Sequence, residues 1–167
     1  MFYLLLFSVS VLVVFGFSGL LGVPFMPTHR KQTNTMMDLL NIKKGDVLID
    51  LGSGAGRLIF AAAKRGAIVT GYELNPFLYA WTKIMIYLKG YKGQAQVFCK
   101  SLYGADVSKA DFVTMFLFPQ FMPPLEKKLF AECKPGAKLA SYTFGFPNTK
   151  EDLKKEAIRL YTVPGDG

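Results

Sequence analysis

The chain has 167 residues, enough for one domain of ordinary size and one short appendage. Its net charge is +8, but the lysines are scattered, with no Arg-rich run and no aromatic stacking motif, so the charge favours anionic lipid headgroups over nucleic acid as a partner. Cys99 and Cys133 have neither metal-ligand spacing nor a disulfide framework, and no metal site is expected.

The first 23 residues are predicted to form a single transmembrane anchor. Residues 1–27 contain no charged side chain, and a helix over 1–23 would span roughly 34 Å, enough to cross the hydrocarbon core. A cleaved signal peptide would carry basic residues before the apolar run and a small-x-small site after it, and neither is present. His29, Arg30 and Lys31 follow the segment, so the positive-inside bias predicts that the rest of the chain lies on the cytoplasmic or matrix side of the membrane.

Residues 24–167 are predicted to form one α/β domain. Strands and helices alternate, which indicates right-handed βαβ units in an open, mostly parallel sheet with helices on both faces. In chain order the predicted elements are a helix at about 30–40, a strand at 47–51, a helix at 56–64, a strand at 68–73, a helix at 75–88, strands at 95–99 and 111–118, a helix at 123–132, a strand at 138–143, a helix near 149–156 and a strand at 158–163.

The first strand runs into a glycine-rich loop, Asp50-Leu-Gly-Ser-Gly-Ala-Gly-Arg57. A dinucleotide site requires G-x-G-x-x-G/A, but Arg57 occupies the third place and is too large for it. The glycines instead read G-x-G-x-G behind an acid, which is typical of class I S-adenosylmethionine (SAM) methyltransferases. The alternative is a strand–turn–helix whose glycines serve only tight packing.

The loop glycines predict close contact with SAM. At Gly52, Gly54 and Gly56 a Cβ would obstruct the cofactor, and Ser53 lies between the first two. The loop amides and the positive end of the following helix would face the methionine carboxylate. Asp50 would reach the ammonium group of the cofactor, directly or through water.

The ends of the second and third strands supply the remaining predicted cofactor contacts. Glu73 ends the second strand, where a carboxylate can accept hydrogen bonds from both ribose hydroxyls, and Leu74 would flank the adenine. Ser101 and Leu102 follow the third strand, where methyltransferases often place an acid that accepts from the adenine amino group. The alternatives are an ordinary exposed glutamate and a plain loop serine.

The fourth strand ends in Phe116-Leu-Phe-Pro119. The [DN]-P-P-[YF] motif of methyltransferases that act on DNA bases or glutamine is absent here, which argues against those substrates. Phe116 and Phe118 are predicted to line an apolar channel that desolvates a lysine amine and lowers its pKa, although both could equally be core residues. His29, the only histidine, is interpreted as a linker residue and not as a general base.

Taken together, these motifs resemble the small protein-lysine methyltransferases, a group that includes the archaeal broad-specificity enzyme and the membrane-anchored enzymes that methylate lysine in the ATP synthase c-ring protein and in adenine nucleotide translocase. The resemblance extends from Pro24 to about Phe146. It rests on Pro24-Phe-Met-Pro-Thr28, the glycine loop, Gly71-Tyr-Glu-Leu-Asn-Pro76, Val113-Thr-Met-Phe-Leu117, Leu125-Glu-Lys-Lys-Leu129 and Lys134-Pro-Gly-Ala137.

This resemblance implies a Rossmann-like methyltransferase fold, with SAM contacts that include Thr28 besides the residues named above. It also implies that the substrate lysine enters near Phe25 and Phe116. The chain departs from the family pattern at Phe25, where relatives often have Tyr, and at Ser101, where Asp or Asn is commoner. It also stops at residue 167, before the hairpin partner expected to complete a seven-stranded sheet.

The sequence therefore predicts a SAM-dependent methyltransferase that modifies lysine on a membrane-associated protein. Two alternatives remain open at this point. One is a methyltransferase of a lipid or quinone-like small molecule, and the other is a SAM-binding module without catalytic activity.

Overall fold

The computed structural model describes residue 5 and residues 30–165. Within this part of the chain, four α-helices alternate with seven strands. The helices are α1 (Arg30–Leu40), α2 (Arg57–Lys64), α3 (Pro76–Leu88) and α4 (Met122–Glu132). The strands are β1 (Val47–Leu51), β2 (Ile68–Tyr72), β3 (Ala95–Phe98), β4 (Phe112–Met115), β5 (Lys138–Tyr142), β6 (Leu153–Lys155) and β7 (Ile158–Thr162).

All seven strands form one sheet in the order β3-β2-β1-β4-β5-β7-β6. The pairs among β1 to β5 are parallel, whereas β7 is antiparallel to both of its neighbours. Parallel neighbours need crossover connections, and the helices α2, α3 and α4 supply them. The predicted open, mostly parallel sheet is confirmed.

The predicted helix near 149–156 is wrong. Residues Leu153–Lys155 form the edge strand β6, which pairs with β7 through a turn that contains Glu156 at φ +52°. The charges in this segment suggested a helix, but an edge strand also tolerates exposed lysines, and pairing with β7 satisfies its backbone. The expected lack of a hairpin partner is wrong for the same reason, because that partner precedes β7 in the chain.

The sheet buries a hydrophobic core on each face. Side chains alternate along β1, so Leu48 packs on the face covered by α1, α2 and α3, while Ile49 and Leu51 pack on the face covered by α4. Continuous apolar strands are expected where both faces are covered. The prediction of helices on both faces is confirmed.

The predicted anchor, residues 1–23, lies outside the described residues apart from Leu5. Among the helices of the described part, none has the length and apolar character needed to cross a membrane. Phe25 and Thr28, predicted to contact substrate and cofactor, also lie outside the described residues.

The strand register brings five strand ends to one edge of the sheet. Leu51 is paired with Tyr72 and Met115, Tyr72 with Phe98, and Met115 with Ser141. Segments that leave parallel strands just beyond this row emerge side by side. In an open α/β sheet, ligands bind outside this carboxyl edge, where neighbouring connections diverge to opposite faces.

Gly71 of β2 is required by side-chain packing. A Cβ at this position would lie 2.4 Å from Ile59 Cδ1 and 2.9 Å from Ser53 Oγ. We therefore expect Gly71→Ala to lower the free energy of unfolding by about 1–3 kcal/mol, the usual cost of overpacking a core. Urea denaturation followed by circular dichroism would measure it.

Gly104→Ala is the matched control, because a Cβ there would meet nothing within 4 Å and Gly104 does not have a positive φ. Its unfolding free energy should change by no more than about 0.5 kcal/mol. Equal stability of the two variants would contradict the packing argument.

Candidate active site at the carboxyl edge of the sheet

The glycine loop between β1 and α2 adopts a backbone that favours glycine. Gly52, Gly54 and Gly56 have φ values of +76°, +54° and +79°, a region that other residues rarely occupy. A Cβ on Gly52 would lie 2.9 Å from Leu117 Cδ2, and one on Gly56 would lie 2.8 Å from Thr82 Cγ2. The loop therefore packs directly against the end of β4 and against α3.

Hydrogen bonds fix the loop on two sides. The amides of Gly52 and Ser53 both donate to the carbonyl oxygen of Tyr72, at 2.9 and 3.0 Å. On the other side, the buried Thr82 hydroxyl of α3 donates to the carbonyl oxygen of Gly54 at 2.9 Å. The loop is thus tied to the end of β2 and to the helix that follows it.

Glu73 connects the end of β2 to the glycine loop. One carboxylate oxygen accepts from the Gly54 amide at 2.7 Å, and the other accepts from the Asn75 amide at 2.8 Å. Burial raises the pKa of this carboxyl, and the backbone donors of Asn75, Gly54 and Leu74 oppose the rise. Glu73 is therefore a half-buried, hydrogen-bonded residue, which excludes the alternative of an ordinary exposed glutamate.

Asp50 is buried behind the loop, with 1% of its surface exposed. Thr114 of β4 donates to its Oδ1 at 2.9 Å, while Oδ2 has no hydrogen-bond partner among the described residues. Burial raises the pKa of Asp50 to about 7, with the Thr114 hydrogen bond opposing and the charge of Glu73 adding to the rise. The Ser53 hydroxyl is likewise buried and has no partner in the described part of the chain.

The two carboxyl groups and the unpartnered oxygens favour a particular kind of ligand. A buried polar atom without a hydrogen bond costs free energy, and a charged one costs more. A ligand that brings a cationic N–H donor to Asp50 would satisfy Oδ2 and stabilise the ionised form. The residues at this position thus fit the amino-acid ammonium of a SAM-like cofactor.

The structure gives Ser101 a local role at the end of β3. Its hydroxyl accepts from the Tyr103 amide at 3.4 Å and caps the 3-10 helix Leu102–Gly104. Leu102 packs partly against the core under α4, while Leu74, beyond β2, is 51% exposed. Since β3 is next to β2 in the sheet, these three residues follow neighbouring strand ends.

Two aromatic pairs follow the ends of β4 and β5. The rings of Phe116 and Tyr142 meet edge to face with centroids 4.8 Å apart, and those of Phe118 and Phe144 are 6.3 Å apart. All four are half-buried, so Phe116 and Phe118 are neither free surface residues nor fully enclosed core. We call these four residues the aromatic rim.

Thr143 lies between the two rim residues contributed by β5 and its following loop. Its φ is +73°, a strained conformation for a β-branched residue. Two contacts with the C-terminal hairpin hold it: its amide donates to the Ala157 carbonyl at 2.7 Å, and its carbonyl accepts from the Arg159 guanidinium.

Several residues that build this site were missed from the sequence. Thr114 carried a usable signal, because a polar residue in an otherwise apolar, buried strand needs a partner. Thr82, Gly71 and Leu117 carried none, since their roles arise from contacts between distant segments. The partners Tyr142 and Phe144 depend on the β4–β5 register.

Three comparisons with known proteins agree with this geometry. A family model described as the ANTKMT methyltransferase domain matches residues 50–153. The chain is 37% identical over 130 residues to the lysine N-methyltransferase of the ATP synthase c-ring protein from Mus musculus, a match that covers 78% of this chain and 52% of that protein. The chain therefore spans about half the length of this relative.

An archaeal relative is matched over nearly its full length. The chain is 33% identical over 151 residues to a protein-lysine N-methyltransferase of Saccharolobus islandicus (strain REY15A), covering 84% of this chain and 94% of that protein.

Among solved structures, the RNA methyltransferase from Salinibacter ruber in complex with S-adenosyl-L-homocysteine superposes with a TM-score of 0.80 at 29% identity, covering 84% of this chain and 95% of that one. The seven-stranded sheet is thus a Rossmann-like methyltransferase fold, and the chain belongs to the family of the ANTKMT methyltransferase domain.

Proposed function

We propose that the protein is a SAM-dependent protein-lysine N-methyltransferase that acts on a membrane-associated protein. The observation that carries the proposal is the buried Asp50, with one oxygen lacking a partner among the described residues, behind a glycine loop whose Gly54 amide binds Glu73. The relative from Salinibacter ruber was solved with S-adenosyl-L-homocysteine. The mouse and archaeal relatives are both named as lysine N-methyltransferases.

The charges of the site suit the methionine end of SAM. Ionised Asp50 binds the ammonium group, and the amides of Gly52, Ser53 and Gly54 with the start of α2 face the carboxylate. The left-handed glycine conformations leave the loop backbone open to close approach, up to Gly56 at the start of the helix.

The nucleoside end is assigned to the neighbouring strand ends. The Glu73 oxygens each use one lone pair on a backbone amide, and the remaining lone pairs accept from the ribose hydroxyls. Leu74 and Leu102 flank the adenine, and Ser101 accepts from its amino group. Thr28, which precedes α1, is assigned a further contact with the cofactor.

When bound, SAM supplies a methyl group on an already activated sulfonium, so the protein needs mainly to position the acceptor and to exclude water. A lysine must lose its proton before it can attack. The aromatic rim provides an apolar surface that disfavours the charged ammonium and lowers the pKa of the entering lysine. Phe116 and Phe118, with Phe25, line this entry.

The membrane-associated target rests on the uncharged, apolar segment 1–23 and on the name of the mouse relative. In this proposal residues 1–23 anchor the enzyme as a single-pass protein. The basic residues that follow place the domain on the cytoplasmic or matrix side.

Incubation of membranes with SAM labelled in its methyl group tests the reaction and the substrate class together. We expect label in protein bands that yields methyllysine on hydrolysis. Label in the organic extract would instead indicate a lipid or quinone-like substrate. Label in RNA would follow the named activity of the Salinibacter ruber relative and overturn the lysine assignment. No label, with SAM still bound, would indicate a module without catalytic activity.

The Glu73 carboxylate should be essential for cofactor affinity. Glu73→Gln replaces one acceptor oxygen with a donor NH2 group, which faces a backbone amide or a ribose hydroxyl instead of accepting from both. Hydrogen bonds to charged groups contribute about 1.5–3 kcal/mol, so we expect SAM affinity to fall roughly 10- to 100-fold by calorimetry.

Glu151→Gln is the control for this substitution. Glu151 lies just before β6, where its Oε1 is 3.8 Å from Arg159 Nε, far along the sheet order from β2. SAM affinity of this variant should match that of the unaltered protein. If Glu73→Gln also bound SAM with unchanged affinity, the ribose assignment would be wrong.

The raised pKa of Asp50 predicts an opposite pH dependence for stability and for cofactor affinity. Between the ordinary value of 3.8 and the folded value of about 7, the folded state holds a proton that the unfolded state has released. Rising pH in this window therefore destabilises the free protein. The ammonium of SAM needs the carboxylate, so affinity should rise with pH and level off above about 7, with about a tenfold loss for each pH unit below about 6.

Thr114→Val sharpens this prediction. The substitution removes the hydroxyl that donates to Asp50 at nearly constant side-chain size. Loss of a donor to the charged form raises the pKa further, so the affinity curve should move to higher pH without a change in its plateau shape. Asp50→Asn should abolish the pH dependence, and an unmoved curve in Thr114→Val would exclude Asp50 as the titrating group.

A further inference from the structure

The segment from the end of β2 to the end of the 3-10 helix has an unusual charge pattern. Residues 74–105 contain no acidic side chain and four lysines, at positions 83, 89, 92 and 100. The helix α3 lies within this segment and carries one charged residue, Lys83. Neither the cofactor crevice nor the aromatic rim uses this combination of cationic and apolar character.

Most of the apolar surface of α3 faces outward. Only Thr82 and Ile86 of the helix are buried. By contrast, Trp81 is 53%, Ile84 55% and Leu88 68% exposed. The spacing of 81, 84 and 88 places these three residues on one side of the helix.

Tyr87, which is 69% exposed, extends this surface on one flank. Single exposed apolar residues are common, but a contiguous stripe that includes tryptophan marks an interaction surface. We call Trp81, Ile84, Tyr87 and Leu88 the α3 stripe.

We propose that the α3 stripe is a membrane contact surface that lies in the headgroup region of an anionic bilayer. Interfacial helices combine Trp and Leu on one face with lysines beside it. Tryptophan and tyrosine favour the boundary between lipid and water, because each joins an apolar ring to a polar group.

The lysines that flank the stripe give the surface its preference for anionic lipid. Lys83, Lys89, Lys92 and Lys100 are all exposed. Lys83 Nζ lies 3.0 Å from the Tyr79 hydroxyl, and Lys89 Nζ lies 5.5 Å from the Phe60 ring centroid. Lysines near a bilayer surface are attracted to anionic headgroups while their alkyl stems contact apolar groups.

A second copy of the chain is a poorer occupant. A symmetric contact through α3 would place Lys83 and Lys89 of one copy near the same residues of the other. The segment 74–105 offers no acidic residue to pair with them. The charge pattern therefore selects an anionic surface over the stripe of another copy.

The position of the stripe relates this surface to the crevice. The helix α3 begins after Asn75, whose amide donates to Glu73. A bilayer against the stripe would therefore lie beside the cofactor crevice. This inference concerns a surface separate from the apolar segment 1–23, and it holds whichever substrate the enzyme methylates.

Trp81 is the only tryptophan of the chain, so its fluorescence reports on this surface alone. The experiment uses the full chain in vesicles of phosphatidylglycerol and phosphatidylcholine that carry brominated acyl chains. We expect a shift of the Trp81 emission to shorter wavelength and quenching by bromine. Both effects should be several-fold weaker in pure phosphatidylcholine vesicles and should decrease at high salt, which screens the lysines.

A matched pair of substitutions separates the stripe from general hydrophobicity. Ile84→Glu places an acid within the stripe, whereas Leu153→Glu makes the same kind of change at a 43% exposed residue of β6, at the opposite edge of the sheet. Only Ile84→Glu should abolish quenching by brominated lipid. Circular dichroism and SAM binding would verify that both variants are folded.

Three results would overturn the proposal. The first is full chain that sediments with anionic vesicles while Trp81 stays unquenched. The second is a short-wavelength emission without lipid, which would indicate self-association if it depends on protein concentration and burial by the chain itself if it does not. The third is an equal loss of quenching in Leu153→Glu.

Discussion

The hydrogen bond from the Gly54 amide to the Glu73 carboxylate joins two strand ends into one site. It is possible because Leu51 and Tyr72 are paired in parallel register, so the segments beyond them leave the sheet together. The left-handed glycine backbone then turns its amides toward the acid. The same row of paired residues continues to β4 and β5, where the aromatic rim begins.

Two carboxyl groups are therefore concentrated where the sheet is most desolvated. Burial raises the pKa of both Asp50 and Glu73, and the charge of Glu73 raises that of Asp50 further. Such an arrangement works against the stability of the free protein, and strongly perturbed acids in a crevice are typical of functional sites. Thr114 limits the effect at Asp50 through one hydrogen bond, which makes a residue of β4 part of the cofactor site.

The sequence predicted those features that depend on contiguous residues. The Asn75 cap followed by Pro76 set the start of α3, and the apolar run of β1 set the first strand. It failed at β6, whose charged residues show no apolar period and become a strand only because β7 pairs with them. The Asp50–Thr114 bond spans 64 positions, and no local pattern encodes such a separation. The rim pairs Phe116–Tyr142 and Phe118–Phe144 arise from the register of β4 and β5 in the same way.

The strained Thr143 couples the rim to a different part of the chain from the glycine loop. Its amide and carbonyl are both bound by the hairpin of β6 and β7, through Ala157 and Arg159, while Tyr142 and Phe144 lie on either side of it. The architecture therefore divides into a constant half, in which β1 and β2 hold the nucleotide-like group, and an adaptable half clamped by the hairpin. Changes in the hairpin can re-aim two aromatic rings without disturbing the first half, which offers evolution a route to new acceptors on an unaltered methyl-donor platform.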